Sequence, residues 1–187
     1  MEPFAGPVLT ADRFGNNNTA YEFDGIDDII MVGDNANLRP SVITLAAWIK
    51  PTSLSDWATI MMKSSSDRWS DGFGLAHYLG SSNDINFYIN HFNNSKVSGT
   101  VSLNAWSLVV ATFDNSILSL YLDGQLANVI TLSSDISHSS SVLQIGKGSG
   151  NPGVYYWKGI IDDVRIYNRT LSDTEIMAFY HENGWNQ

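Results

Sequence analysis

The feature that most constrains this chain is alternation. Apolar and polar residues trade places with a period of two, in short runs that end at Gly, Pro, Asn, Asp or Ser. Successive side chains of a strand point to opposite faces, so this pattern fits strands with one buried face, and the punctuating residues fit turns. Runs of this kind cover residues 20–23, 28–32, 43–50, 58–63, 73–79, 85–90, 96–103, 106–113, 117–122, 125–132, 142–146 and 159–168. Asp123-Gly124 supplies two residues that tolerate the positive φ of a tight hairpin. So many short strands with turns between them predict an antiparallel two-sheet β-sandwich or jelly roll. Helical signals occur once, at the C-terminal end. Ser172-Asp173-Thr174-Glu175 has the form of a capping box, with Leu171 and Ile176 set for a hydrophobic staple and Gly184 as a stop. A short helix of about three turns is expected there.

Composition narrows the partners. With 187 residues the chain is long enough for one well-buried domain, expected over residues 12–187, with 1–11 as a lead-in tail. A formal net charge of −9 repels phosphate backbones, so nucleic acid is not an expected partner. There is no cysteine, so no disulfide framework is available. No apolar run is long enough to span a bilayer, and membrane insertion is not expected.

Several blocks carry a family likeness. Asp12-Arg13-Phe14-Gly15-Asn16 is followed by a block over residues 20–28, from Ala20 to Asp28, and by another over 43–51, from Ile43 to Pro51. Residues 106–114 and Leu120-Tyr121-Leu122-Asp123-Gly124 continue the series. The final block runs over 159–169 and is followed by Leu171-Ser172 and Glu175-Ile176. In this order they resemble laminin-G-like jelly rolls of the concanavalin A-like lectin and glucanase superfamily. The resemblance implies an all-β two-sheet sandwich with one curved sheet, to which the capping box adds the short C-terminal helix. It also implies a secreted or surface bacterial setting, appended to a larger protein, with calcium and sugars as frequent ligands. Family members usually carry a further strand ahead of the block that opens here at Asp12. Its absence is expected to leave an edge or groove less covered.

The chemistry-bearing residues argue against catalysis. Glycan hydrolysis needs two carboxylates flanking the scissile bond. Only four glutamates exist, Glu2, Glu22, Glu175 and Glu182, and Glu175 is accounted for by the capping box. The paired glutamates that catalytic relatives carry on one strand are missing. There is no Gly-x-Ser-x-Gly elbow and no zinc-type spacing, and the histidines are scattered. His77 is read as a packed, hydrogen-bonded residue.

Two candidate sites stand out. Alternation puts Asp162 on the face of Ile160, Val164 and Ile166, which looks inward, and a buried carboxylate needs a partner. One reading is a structural calcium shared by Asp24, Asp27 and Asp162. The other is that Asp162 accepts an arginine or a backbone N–H while Asp24 and Asp27 make a turn. The second site is a glycan face. Along 85–90, Ile85, Phe87 and Ile89 are expected in the core, leaving Asn86, Tyr88 and Asn90 as a polar–aromatic stripe on the open side. Tyr78 is expected beside them, with loop aromatics Trp57, Trp69 and Tyr155 as a rim. Aromatic rings stack under the C–H faces of sugars while amides read the hydroxyls. The bland alternative is an ordinary solvated strand face, with loop tryptophans capping a core end. Trp48, Trp106 and Trp157 are read as packing. The function expected is a non-catalytic module that binds glycan. The alternative is a structural or adhesion module that meets a cell-surface or matrix protein.

Overall fold

A computed structural model describes residues 6–65, 69–80, 82–93, 95–149 and 155–185. The described residues form two antiparallel sheets. One sheet runs, in spatial order, β1 (Val8–Thr10), β2 (Ala20–Asp24), β13 (Lys158–Tyr167), β4 (Ile43–Ser53), β9 (Ser107–Phe113), β10 (Ile117–Leu122) and β11 (Gln125–Thr131). The other runs β3 (Ile30–Val32), β12 (Leu143–Ile145), β5 (Thr59–Lys63), β6 (Phe73–His77), β7 (Asp84–Ile89) and β8 (Lys96–Thr100). This is the two-sheet sandwich that the alternation predicts. Every run named from the sequence overlaps one of these strands.

The main core lies between the sheets. Leu45, Ala47, Ile49, Val109, Ala111 and Phe113 meet Ile60, Leu75, Ile85, Phe87 and Ile89, with Trp157 fully buried among them. Fully burying an aliphatic side chain is worth about 1.5–3 kcal/mol, so these layers hold the sandwich together. The residues that alternate with them cannot all face water. Two further clusters cover the outer faces, which is why β4, β7 and β9 are buried on both sides.

On the outer face of the seven-stranded sheet the cover is α1 (Asp173–Tyr180). Ser172 and Glu175 close the capping box in both directions, as its sequence predicts. At eight residues the helix is about two turns, shorter than expected, and a 3₁₀ turn over Glu182–Gly184 follows. Leu171, Ile176 and Phe179 bury against Trp48, Leu108 and Val110. Trp185 folds back edge-on to Trp48, with ring centroids 5.2 Å apart.

Two expectations are corrected here. The lead-in assigned to 1–11 is not all tail. Val8–Thr10 pairs with Ala20–Glu22 as an edge strand, so a strand does precede the Asp12 block. The alternation of the last strand is also broken. A bulge lies between Asp162 and Arg165, with Asp163 at φ 47°. Ile161, Val164 and Ile166 therefore face the inter-sheet core, while Asp162 is turned off that face toward Arg13.

Candidate functional site

The outer face of the six-stranded sheet carries the densest aromatic cluster. It begins with small residues. Gly74 and Ala76 on β6 leave room above the backbone, and the Tyr88 ring of β7 fills it. A Cβ on Gly74 would stand 2.6 Å from the Tyr88 ring. Trp69 stacks on Tyr88, with centroids 5.6 Å apart and planes at 13°. Its indole N–H donates to the Ser149 carbonyl at 2.9 Å. Gly148 allows this approach, since a Cβ there would meet Thr59 at 2.6 Å and Trp69 at 3.1 Å.

Trp57 then bridges the upper layer. Its ring lies edge-on to Tyr78 at 4.6 Å, Trp69 at 5.0 Å, Phe92 at 5.4 Å and Tyr155 at 6.1 Å. Trp57, Tyr78 and Tyr155 keep part of their surface in solvent, while Trp69 and Phe92 are buried beneath them. Three of these rings sit on unusual backbone. Trp57 has φ 67°, Trp69 has φ 49° and Tyr155 has φ 74°. Bulky residues rarely adopt left-handed φ, which costs of order 1–3 kcal/mol each. All three loops bear that cost at the same spot.

The sequence reading grouped these residues correctly in part. Tyr78, Trp69, Tyr88 and Tyr155 do converge, together with Trp57. The open stripe does not exist as drawn. Tyr88 is 0% exposed and Asn86 is 3% exposed, because the loop aromatics cover the outer face that a lone strand would leave to water. Among the described residues the Tyr88 hydroxyl has no hydrogen-bond partner, and burial pushes its pKa well above the ordinary value. Asn90 ends β7 at φ 58° and turns away. Its amide donates to the Asp135 carbonyl at 2.8 Å and its side-chain oxygen accepts from the Ser137 N–H at 2.7 Å, so it clamps a loop. Phe92 and Lys96 belong to the cluster but carry no signal in the alternation. Phe92 lies just past its strand, and Lys96 is placed only by the β7–β8 pairing.

The acidic residues separate into two groups. Asp24, Asp27 and Asp28 offer carboxylate oxygens within 4.8 Å of one another. Asp28 accepts from the Asp24 backbone N–H at 2.8 Å, and Asp24 accepts from the Ile26 N–H at 2.7 Å, as in an Asx turn. Burial and the neighbouring charges of Asp24 and Asp27 raise the Asp28 pKa, against the N–H bond that lowers it. Asp162 is not part of this group. The register sets Asp24 opposite Lys158, several residues along β13 from Asp162. Asp162 faces Arg13 at 3.4 Å and accepts its neighbour's N–H, from Asp163, at 2.8 Å. The shared Asp24–Asp162 site is thus corrected, and the arginine and backbone partners weighed beside it are what the structure shows. Arg13 is itself clamped between Phe14 and Trp48, at 4.5 Å from each ring centroid. His77 is 1% exposed and donates from Nδ1 to the Asp84 carbonyl at 3.0 Å, as read.

Residues 24–177 match the family described as the concanavalin A-like lectin/glucanases superfamily. The chain belongs to that superfamily. Comparison with curated proteins finds no match. Among solved structures, domain 4 of AbnA, an extracellular arabinanase of Geobacillus stearothermophilus in complex with arabinotriose, is 16% identical with a TM-score of 0.74. That likeness covers 94% of this chain and 82% of the other. A carbohydrate-binding module of a Ruminococcus gnavus sialidase bound to α2,3-sialyllactose is 14% identical with a TM-score of 0.66, over 87% and 96% of the two chains. A heptameric pentraxin of Limulus polyphemus is 17% identical with a TM-score of 0.61, over 83% and 82%. At these identities the shared property is the concanavalin A-like fold.

Proposed function

We propose that this protein is a non-catalytic glycan-binding module whose binding surface is the Trp57–Tyr78–Tyr155 layer on the outer face of the six-stranded sheet. One observation carries the reading. Trp57, Trp69 and Tyr155, on separate loops, adopt left-handed backbone and meet, with Trp57 and Tyr155 partly exposed above the buried Trp69, and strain of this kind gathers where binding demands it. The rings offer rigid apolar area for sugar C–H faces at little entropic cost. Support also comes from the carbohydrate-bound domains among the structural neighbours, which favour a secreted or surface setting. Two of the four glutamates are engaged elsewhere: Glu175 by Arg169 and Ser172, and Glu182 by Arg165.

A glycan array tests the proposal. The chain is expected to retain at least one glycan. Trp57→Ala and Tyr155→Ala should each weaken binding by about tenfold or more, as loss of a stacking anchor does. Unchanged melting temperatures would separate lost contact from lost fold. An array on which nothing is retained at millimolar concentration ends this reading and leaves the structural or adhesion module.

We further propose that calcium binds on the Asp24-Gly25-Ile26-Asp27-Asp28 turn. Calcium takes several oxygen ligands. Three carboxylates crowd there, and among the described residues no lysine or arginine lies within ion-pair distance of them. Calcium at about 100 times its Kd adds about 2.7 kcal/mol. That corresponds to a rise of roughly 5–10 °C in Tm for a domain of this size. EDTA should reverse the rise and Asp28→Asn should abolish it. An identical Tm with calcium and with EDTA would remove the ion.

A further inference from the structure

Lys96 stands at the border of the aromatic layer. β8 pairs with β7 so that Lys96 lies opposite Tyr88, which puts both side chains on the outer face of the sheet. Its Nζ lies 4.1 Å from the Tyr78 ring centroid and 4.3 Å from that of Phe92. Burial against these rings lowers its pKa, so the ammonium has given up part of its hydration.

The other described cations give the comparison. Arg13, Arg39, Lys63, Arg165 and Arg169 each pair with a carboxylate. Lys147, which also lies over a ring, donates to the Gly148 carbonyl at 3.1 Å. Lys50 and Lys158 pair with no carboxylate among the described residues, but neither is held over a ring. Among the described residues no carboxylate lies within ion-pair distance of Lys96. Yet the chain carries 19 acidic residues against 10 basic ones, so anions are not scarce. The ring faces attract the ammonium through their quadrupoles but cannot accept hydrogen bonds as an oxygen does. A partly desolvated donor with three N–H bonds is thus held beside the partly exposed Tyr78 ring and the buried Phe92 ring.

We infer that the ligand class is a carboxylated saccharide, its carboxylate received by Lys96 Nζ while its C–H face stacks on Trp57 and Tyr155. This rests on the glycan-binding reading above and narrows it. A neutral sugar would leave the ammonium without an anion. A free carboxylate would leave the aromatic area unused.

The test is calorimetric titration of the intact chain with two trisaccharides that differ only in charge. One is α-1,4-linked trigalacturonate. The other is the same trisaccharide with its carboxylates reduced to hydroxymethyl groups. The acid is expected to bind about tenfold more tightly, as one charge-assisted hydrogen bond supplies. That preference should shrink as NaCl is raised. Lys96→Met should abolish the preference and leave the weaker affinity common to both sugars, whereas Lys96→Arg should keep it. The arginine variant retains charge and ring contact and so separates lost charge from lost fold. Equal affinities unchanged by Lys96→Met overturn the acidic preference and leave glycan binding standing. Binding of neither trisaccharide, with a neutral glycan still retained on the array, overturns the preference alone. No glycan retained by either method overturns both.

Discussion

The Tyr88 hydroxyl and the Gly74 hydrogen show how much one atom decides at the outer face of the six-stranded sheet. Tyr88 is fully buried and its hydroxyl finds no hydrogen-bond partner among the described residues. Replacing a buried, unpaired polar group by an apolar one of the same shape is near neutral or stabilising. Tyr88→Phe is therefore expected to match or exceed the wild-type urea midpoint. Tyr88→Ala removes a ring from under Trp69 and should cost about 3–5 kcal/mol. A Tyr88→Phe variant destabilised by as much as the alanine variant would mean that the hydroxyl has a partner. Gly74→Ala acts from the other side. Its Cβ would stand 2.6 Å from a ring that Trp69 holds down, so overpacking of about 1–3 kcal/mol is expected in the same measurement. Both residues were legible as strand residues. Their burial was not, because the rings that cover them arrive from loops distant in sequence.

At the scale of elements, the helix and its neighbours were the most legible part. Capping is local chemistry, so Ser172 and Glu175 could be read from four letters. The Arg169 guanidinium, with the Ser172 N–H and hydroxyl, holds the Glu175 carboxyl down at about 2. A carboxylate whose folded pKa is depressed stabilises the fold above its unfolded pKa and loses that effect as pH falls through the folded value. The Tm gap between wild type and Glu175→Gln is thus expected to close as pH drops from about 4.5 to 2. A gap that persists unchanged at pH 2 would contradict the capping role. Tyr121 ties the sheet to the same helix by donating to Asp173 at 2.8 Å, and burial together with that bond raises its pKa to about 12. The last strand was less legible. Its bulge between Asp162 and Arg165 moves Asp162 off the face that strict alternation assigns, and nothing in the alternation marks a bulge there.

For the whole molecule, the inter-sheet core draws on both sheets, and each sheet exposes its outer layer if the other leaves. Loss of either sheet therefore removes the burial that supports the other, and a single cooperative transition is expected. The tryptophans make this measurable. Trp48 and Trp185 sit outside the seven-stranded sheet, Trp57 and Trp69 outside the six-stranded sheet, and Trp157 between them. Urea transitions followed by tryptophan fluorescence and by far-ultraviolet circular dichroism should coincide. Separated midpoints would show that one outer layer melts alone.

Alternation, turn residues and a capping box are short-range signals, and by themselves they determined the strands, the helix and the sandwich. They also showed that no strand run carries two glutamates. Which faces meet water was decided only by tertiary structure. A period-two pattern reports that a strand has two sides, but the cover on each side comes from segments far along the chain. That is why Tyr88 proved to be a foundation beneath Trp69, why Asp162 found Arg13, and why Lys96 came to lie over Tyr78 and Phe92.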